Sequence, residues 1–376
     1  MNAAEIIAEA RRATGLERFD SDSFQEGLDI IARHLAQDSS LTDSGRAAIV
    51  QMAISLLGNR LRVADYARRH PELLERSIER PVVILGMPRT GTTMASYLLG
   101  LDPNRRSLLY WEACNCVPPA GEAQLTTDPR CLAMKHQYES AFMTSPEIHL
   151  EQPDLPTECI FVLAHDFKSI LWQASVRSAE YEDWLLKTDM HSAYAYHKLQ
   201  LQVMQHHTGG VWSLKAPAHA LSIPTLKHFY PDARIIWAHR DPYKAMASTC
   251  SVISKSRGGL GQVDEALIGP AAIETFSQHL QRAMAYDIGA GSNAIHHLHY
   301  TDMMRDPMAQ MRKLYDWLGD ALSPELEATM RQWIDANPQG KFGVHAYGLE
   351  RFGLSVEMLR PHFEPYVRRY HVEPEA

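Results

Sequence analysis

Five cysteines are all that this 376-residue chain contains: Cys114, Cys116, Cys131, Cys159 and Cys250. An odd count with none of the usual zinc spacings excludes a disulfide framework and fits a reducing, cytoplasmic setting. Cys114-Asn-Cys116 reads as two unpaired thiols. Long apolar runs are missing too. No stretch approaches the ~20 residues of a membrane span. The N-terminal MNAAEIIAEARRATG holds Glu5 and Glu9 where a signal peptide needs an apolar core. There is no long basic run, and the net charge is −8. That argues against nucleic acid or an anionic membrane as partner. An anionic small molecule stays compatible, because it needs only a local cluster of donors. No metal is expected either. His296, His297 and His299 would alternate between the faces of a strand, with no acidic residue spaced to join them.

What is present is a globular chain, 45% hydrophobic, long enough for a large α/β unit. Residues 1–80 read as helices. Ile6, Ile7 and Ala10 begin one apolar face, and Phe24, Leu28, Ile31 and Leu35 continue at helical spacing, as do Ile49, Met52, Leu56 and Leu57. These helices are expected to cover the core, meet a partner subunit or wall an acceptor site. Residues 81–376 form the main α/β domain, with a proline-broken helical insertion at about 102–210. That insertion holds Trp111, Phe142, Phe161, Phe167, Trp172 and Trp184. Such aromatics read first as core and second as the wall of an apolar pocket.

Val82–Leu85, Val211–Lys215, Ala233–His239 and Ala294–Tyr300 read as strands, separated by helical patterns at Ile223–Phe229, Asp241–Ser254 and Pro307–Leu318. Alternating strands and helices predict a doubly wound parallel sheet, covered on both faces in three layers. Ligands bind such sheets beyond the carboxyl ends of the strands. Arg89, Lys215, Arg240 and Tyr300 all fall at such ends.

The densest signal is PVVILGMPRTGTTMASYLLGL, residues 81–101. A buried strand runs into Gly86-Met-Pro-Arg-Thr-Gly91-Thr-Thr93 and then into a helix. This geometry aims several backbone N–H groups at an anion. The G-x-x-x-x-G spacing is that of a P-loop, yet Thr92-Thr93 follow where a nucleoside-triphosphate enzyme has Lys-Ser or Lys-Thr. The positive charge sits earlier, at Arg89. This argues for a phosphate-bearing donor other than ATP.

Pro88-Arg-Thr-Gly-Thr-Thr93 resembles the 5′-phosphosulfate loop of the sulfotransferase superfamily. Arg234-Ile-Ile-Trp-Ala-His-Arg240-Asp-Pro, with Ser248 beyond it, resembles that superfamily's 3′-phosphate element. The resemblance covers roughly residues 81–350. It implies a P-loop-type fold with the helical residues 1–80 as an extension. It also implies 3′-phosphoadenosine-5′-phosphosulfate (PAPS) as donor, and an acceptor hydroxyl or amine. Donor contacts would come from Arg89, Thr90, Gly91, Thr92, Thr93, Arg240, Ser248 and Tyr300. Lys341 and His345, in Gly340-Lys-Phe-Gly-Val-His-Ala-Tyr347, would add charge from a closing loop. Lys215 would meet the transferring group.

Two residues compete as general base. Glu112, in Tyr110-Trp-Glu, resembles the glutamate of tyrosyl-protein and some bacterial sulfotransferases. His219 follows Lys215 as Lys-x-x-x-His, where cytosolic sulfotransferases have Lys-x-His. Position favours Glu112 and intrinsic acidity favours His219. Glu158 and His149 are weaker candidates. Two other functions stay open at this point, a P-loop small-molecule kinase and a non-catalytic nucleotide-binding protein. The aromatic content points to an acceptor with an apolar or aromatic body, and an oligomer is possible.

Overall fold

The computed structural model describes residues 1–140, 152–291, 293–338 and 348–375. Its frame is a five-stranded, all-parallel sheet. The strands are β1 Val82–Gly86, β2 Arg105–Ser107, β3 Val211–Lys215, β4 Arg234–His239 and β5 Ile295–His299. Their order is β2-β3-β1-β4-β5. β1 is therefore central, and the chain turns to opposite sides of it on reaching β3 and β4. Every residue of β1 is buried, and its side chains alternate between layers. Val82 and Ile84 join helices 92–100 and 307–318 on one face, while Leu85 packs with helices 242–258, 268–290 and 356–369 on the other.

The expected helices 223–229 and 307–318 are observed, and the helix opened by Asp241 and Pro242 runs on to Gly258. Asp241 caps it, its side chain accepting from Tyr243 N–H. β2 was not expected. It is three residues long and follows Asp102-Pro103, too short for a periodic signal.

Three helices, Ala3–Thr14, Gln25–Gln37 and Asp43–Arg69, make up the N-terminal layer. They share one apolar cluster with Ala164, Phe167, Trp172, Val176, Tyr181 and Leu185 of the insertion. At its edge Arg60 is fully buried, bound to Asp20 and Asp166 at 2.7 and 2.6 Å. Among the described residues no helix is long and apolar enough to cross a membrane.

Sheet register positions the site. Ile84 lies beside Lys215, and Gly86 beside Ala238. His239 lies beside His299. The loop after β1 therefore emerges between the ends of β3 and β4, and Arg240 comes out next to Tyr300.

Candidate functional site

The loop between β1 and helix Thr92–Gly100 is tightly held. Gly86 adopts φ +145°, and a Cβ there would stand 2.6 Å from the Ala238 carbonyl oxygen. Gly91, at φ +86°, caps the helix, and a Cβ on it would meet the Tyr300 ring at 3.0 Å. Only glycine fits such backbone approach and left-handed φ without strain. Arg89 itself sits at φ +67°. Its Nε donates to Ser248 Oγ at 3.0 Å. The Thr90 hydroxyl turns inward and donates to the Met87 carbonyl at 2.7 Å, which helps to shape the loop.

Arg240 lies over the Tyr300 ring, 4.0 Å from guanidinium carbon to ring centre. Its Nη1 donates to the Arg89 carbonyl at 2.6 Å. The remaining fork, Nε and Nη2, binds both carboxylate oxygens of Glu375 at 2.6 and 2.8 Å. Arg89, Ser248, Arg240 and Tyr300 thus form one cluster. The chain's own carboxylate demonstrates that its Arg240 fork takes an oxyanion in bidentate fashion.

On the β3 side Lys215 is almost fully buried. Its Nζ lies 3.3 Å from Glu158 Oε1 and 3.3 Å from Thr93 Oγ1. A cavity of about 450 Å³ opens between the two groups. Arg89, Gly91, Thr92, Thr93, Glu158, Arg240 and Tyr300 line its polar end. Ile160, Phe161, Ile170, Leu171, Val252 and Phe276 line its apolar part. No residue of the N-terminal helices reaches it.

Neither favoured base is at this cavity. Glu112 is 1% exposed, with Oε1 bound to Arg106 at 2.6 Å. Burial pushes its carboxyl above the usual range, against the pull of Arg106. Arg106 belongs to β2, so this pair braces the sheet edge. His219 is wholly buried, with Nδ1 at 2.7 Å from the Tyr194 hydroxyl, and burial drives its pKa far down. A general base works within hydrogen-bond reach of the proton it takes, and neither side chain lines this cavity. The carboxylate that the structure brings to the cavity is Glu158. Of the insertion's aromatics, Phe161 lines the cavity, whereas Trp172 and Trp184 pack with the N-terminal helices. Phe142, His149, Lys341 and His345 lie outside the described residues.

Glu158 carries no motif in sequence. The signal that could have singled it out is its setting, Pro153-Asp-Leu-Pro156-Thr-Glu158, a proline-marked turn with Leu155 N–H donating to the Gln152 carbonyl and then an isolated bridge at Pro156. This stretch is clipped to its surroundings. Trp111 N–H donates to the Pro153 carbonyl, Thr157 N–H to the Leu108 carbonyl, and Cys159 N–H to the Lys215 carbonyl, at 3.1, 2.8 and 2.8 Å.

Comparison with known proteins agrees with this layout. The chain superposes on the crystal structure of sulfotransferase STF9 from Mycobacterium avium with TM-score 0.94. Identity is 40%, over all of this chain and 98% of that one. Sulfotransferase STF1 from Mycobacterium tuberculosis H37Rv gives 0.86 at 27% identity, over 97% and 99% of the two chains. A curated relative, omega-hydroxy-beta-dihydromenaquinone-9 sulfotransferase Stf3 of Mycobacterium tuberculosis, is 24% identical over 261 residues. That match spans 64% of this chain and 62% of the relative's length. Finally, residues 81–324, more than half of the chain and the whole of the strand-and-loop frame just described, match the profile of the sulfotransferase family, to which this chain belongs.

Proposed function

We propose that the chain transfers a sulfuryl group from PAPS to an acceptor hydroxyl on a largely apolar molecule. One observation carries the reading: Glu158 and Thr93, both in contact with Lys215, line the same cavity as Arg89, which binds Ser248, and Arg240, which lies over Tyr300. The donor supplies an activated S–O bond to a 5′-phosphate. The residues fit such a molecule. The glycine-lined loop leaves no room for a Cβ at Gly91, and the loop N–H groups and helix N-terminus suit the phosphosulfate. Arg240 and Ser248 would hold the 3′-phosphate, and Tyr300 would pack beside the adenosine.

In this mechanism the acceptor oxygen attacks sulfur as Glu158 takes its proton. A new O–S bond forms, the bond to the phosphate oxygen breaks, and adenosine 3′,5′-bisphosphate leaves. Lys215 and Thr93 stabilise the negative charge that grows on the departing oxygen. Arg89 and the loop amides neutralise the rest, so no divalent cation is needed at the donor. The work of the protein is alignment and charge stabilisation, as in phosphoryl transfer. The apolar wall from Ile160 to Phe276 suits an acceptor with a hydrocarbon or aromatic body. The curated relative, named for a hydroxylated menaquinone, supports the same class.

Calorimetry tests the donor. Adenosine 3′,5′-bisphosphate is expected to bind at least about tenfold tighter than adenosine 5′-phosphate, roughly 1.4 kcal/mol. Arg240→Ala is expected to erase most of that gap. Equal affinities in the unmutated protein would overturn the assignment. So would a thermal shift seen only with ATP and magnesium, which a kinase would give.

A further inference from the structure

The residue after Glu158 belongs to a second cluster, one that the transfer reaction does not use. Cys159 lies just before helix Ile160–Leu163, His197 is in helix His191–Met204, and His219 is in the turn Pro217–Leu221. All three side chains are 0% exposed. One ligand-type atom of each lies within 4.8 Å of the other two. They are too scattered in the chain to show as a spacing motif.

The hydrogen bonds of the two imidazoles match. His219 Nδ1 meets the Tyr194 hydroxyl at 2.7 Å, and His197 Nδ1 meets the Tyr230 hydroxyl at 2.7 Å. On both rings Nε2 is buried and has no hydrogen-bond partner. The Cys159 thiol is in no disulfide. Buried polar atoms ordinarily find a partner, and a metal ion would give one to both of these nitrogens. Metal-binding histidines are typically held through a hydrogen bond on the other ring nitrogen. Zinc–nitrogen and zinc–sulfur bond lengths set two tetrahedral nitrogens and one sulfur about 3.3–3.6 Å apart. Closing the present triangle onto an ion therefore takes about 1 Å of side-chain movement.

We propose that Cys159, His197 and His219 form a buried binding site for a thiophilic d10 cation, zinc(II) or copper(I). One thiolate and two imidazoles suit either ion, copper(I) as a three-coordinate centre and zinc(II) with one added water. On binding, the thiol proton passes to solvent while one sulfur–metal and two nitrogen–metal bonds form. The site would be structural. It ties the segment carrying Glu158 and the turn after Lys215 to helix His191–Met204, and it does not touch the donor cavity. The proposal stands independently of the sulfuryl-transfer reading.

The test uses the full chain with its purification tag removed. It carries His70→Gln, which removes one member of the partly exposed His70–Glu72–His206 group, a second set of possible cation ligands. After growth with added zinc and copper and dialysis, elemental analysis is expected to find about one zinc or one copper per chain. The element found distinguishes the two ions. Stripped protein titrated with cobalt(II) is expected to develop tetrahedral d–d bands and a thiolate-to-cobalt charge-transfer band. Cys159→Ser should lose that band and most of the bound metal. If Cys159→Ser does not fold, the cobalt spectrum of the parent decides. Below about a tenth of an equivalent of either metal, with no thiolate–cobalt band, the site does not exist. One retained equivalent with an unchanged spectrum in Cys159→Ser would equally overturn the proposal.

Discussion

Glu375→Gln should make the protein a better binder of its nucleotide. In the structure the Glu375 carboxylate takes the Arg240 fork, with two charge-assisted bonds at 2.6 and 2.8 Å. The Glu375 N–H also donates to Asp241 Oδ2 at 2.9 Å, which fixes the segment. A 3′-phosphate on Arg240 must displace that carboxylate. Both side chains are about one-fifth exposed. The pair therefore stands between a surface bridge, worth about 0–1 kcal/mol, and a hydrogen bond to a buried charged group, worth about 1.5–3 kcal/mol. About 1–2 kcal/mol is the reasonable figure, or roughly a 5–30-fold tighter Kd for adenosine 3′,5′-bisphosphate in Glu375→Gln. Titration calorimetry on both proteins measures it, with adenosine 5′-phosphate as the control. That ligand lacks the 3′ group and should gain nothing. Equal affinity of the two proteins for the bisphosphate would refute the argument. An equal gain for both nucleotides would too, because the effect would then not act through the 3′-phosphate.

Glu158→Gln should lower kcat by about 10²–10⁴-fold with bisphosphate affinity nearly unchanged, since it removes only proton acceptance. Glu112→Gln should do the opposite, leaving kcat near normal but lowering stability by about 3 kcal/mol in urea titration, because Arg106 loses its buried counter-charge. Gly91→Ala places a Cβ against Tyr300 at φ +86°; strain of about 1–3 kcal/mol should weaken bisphosphate binding and lower Tm. His279 is wholly buried, and burial lowers its pKa to about 4. Below pH 6.5 the unfolded chain therefore takes up a proton that the folded one refuses. Stability should fall as pH drops from 6.5 toward 4, with up to about 3 kcal/mol from this group. His279→Gln should flatten that part of a stability–pH curve, and an unchanged slope would count against it.

The frame was readable because it is local. β1 and β4 announce themselves as short apolar runs, β3 and β5 as shorter mixed segments in step with the strand–helix alternation, and three of the helices that follow carry caps or clear periodicity. β2 has neither length nor pattern. Its place at the sheet edge comes from parallel pairing with β3, Arg106 opposite Trp212, where the Arg106 guanidinium also covers the indole ring. The donor loop was readable for the same local reason, since its glycines and Arg89 are consecutive. Thr90 shows the limit of that reading: its hydroxyl is bound to the Met87 carbonyl inside the loop, a contact that no sequence pattern announces.

The proposed base is not one of the two residues that stand out in sequence, for a reason general to such sites. Glu112 stands out by its place after the donor-loop helix and its resemblance to a family glutamate, His219 by its imidazole acidity and its place after Lys215. Proximity in sequence says little once a strand end intervenes. His219 sits four residues past Lys215, yet the turn Pro217–Leu221 sets its ring against the Tyr194 hydroxyl in the interior. Glu112 follows β2 closely and so pairs with Arg106 of that strand. Glu158 is far from both in the chain. It reaches Lys215 because the turn and short segment from Pro153 to Cys159 are stitched at one end to residues 108–111 and at the other to the end of β3. The stitches are backbone hydrogen bonds, which carry no side-chain signature. A stretch that looked like an irregular loop is thus the element that sets the carboxylate against the lysine, and the order of the sheet, β3 beside β1, brings both to Thr93.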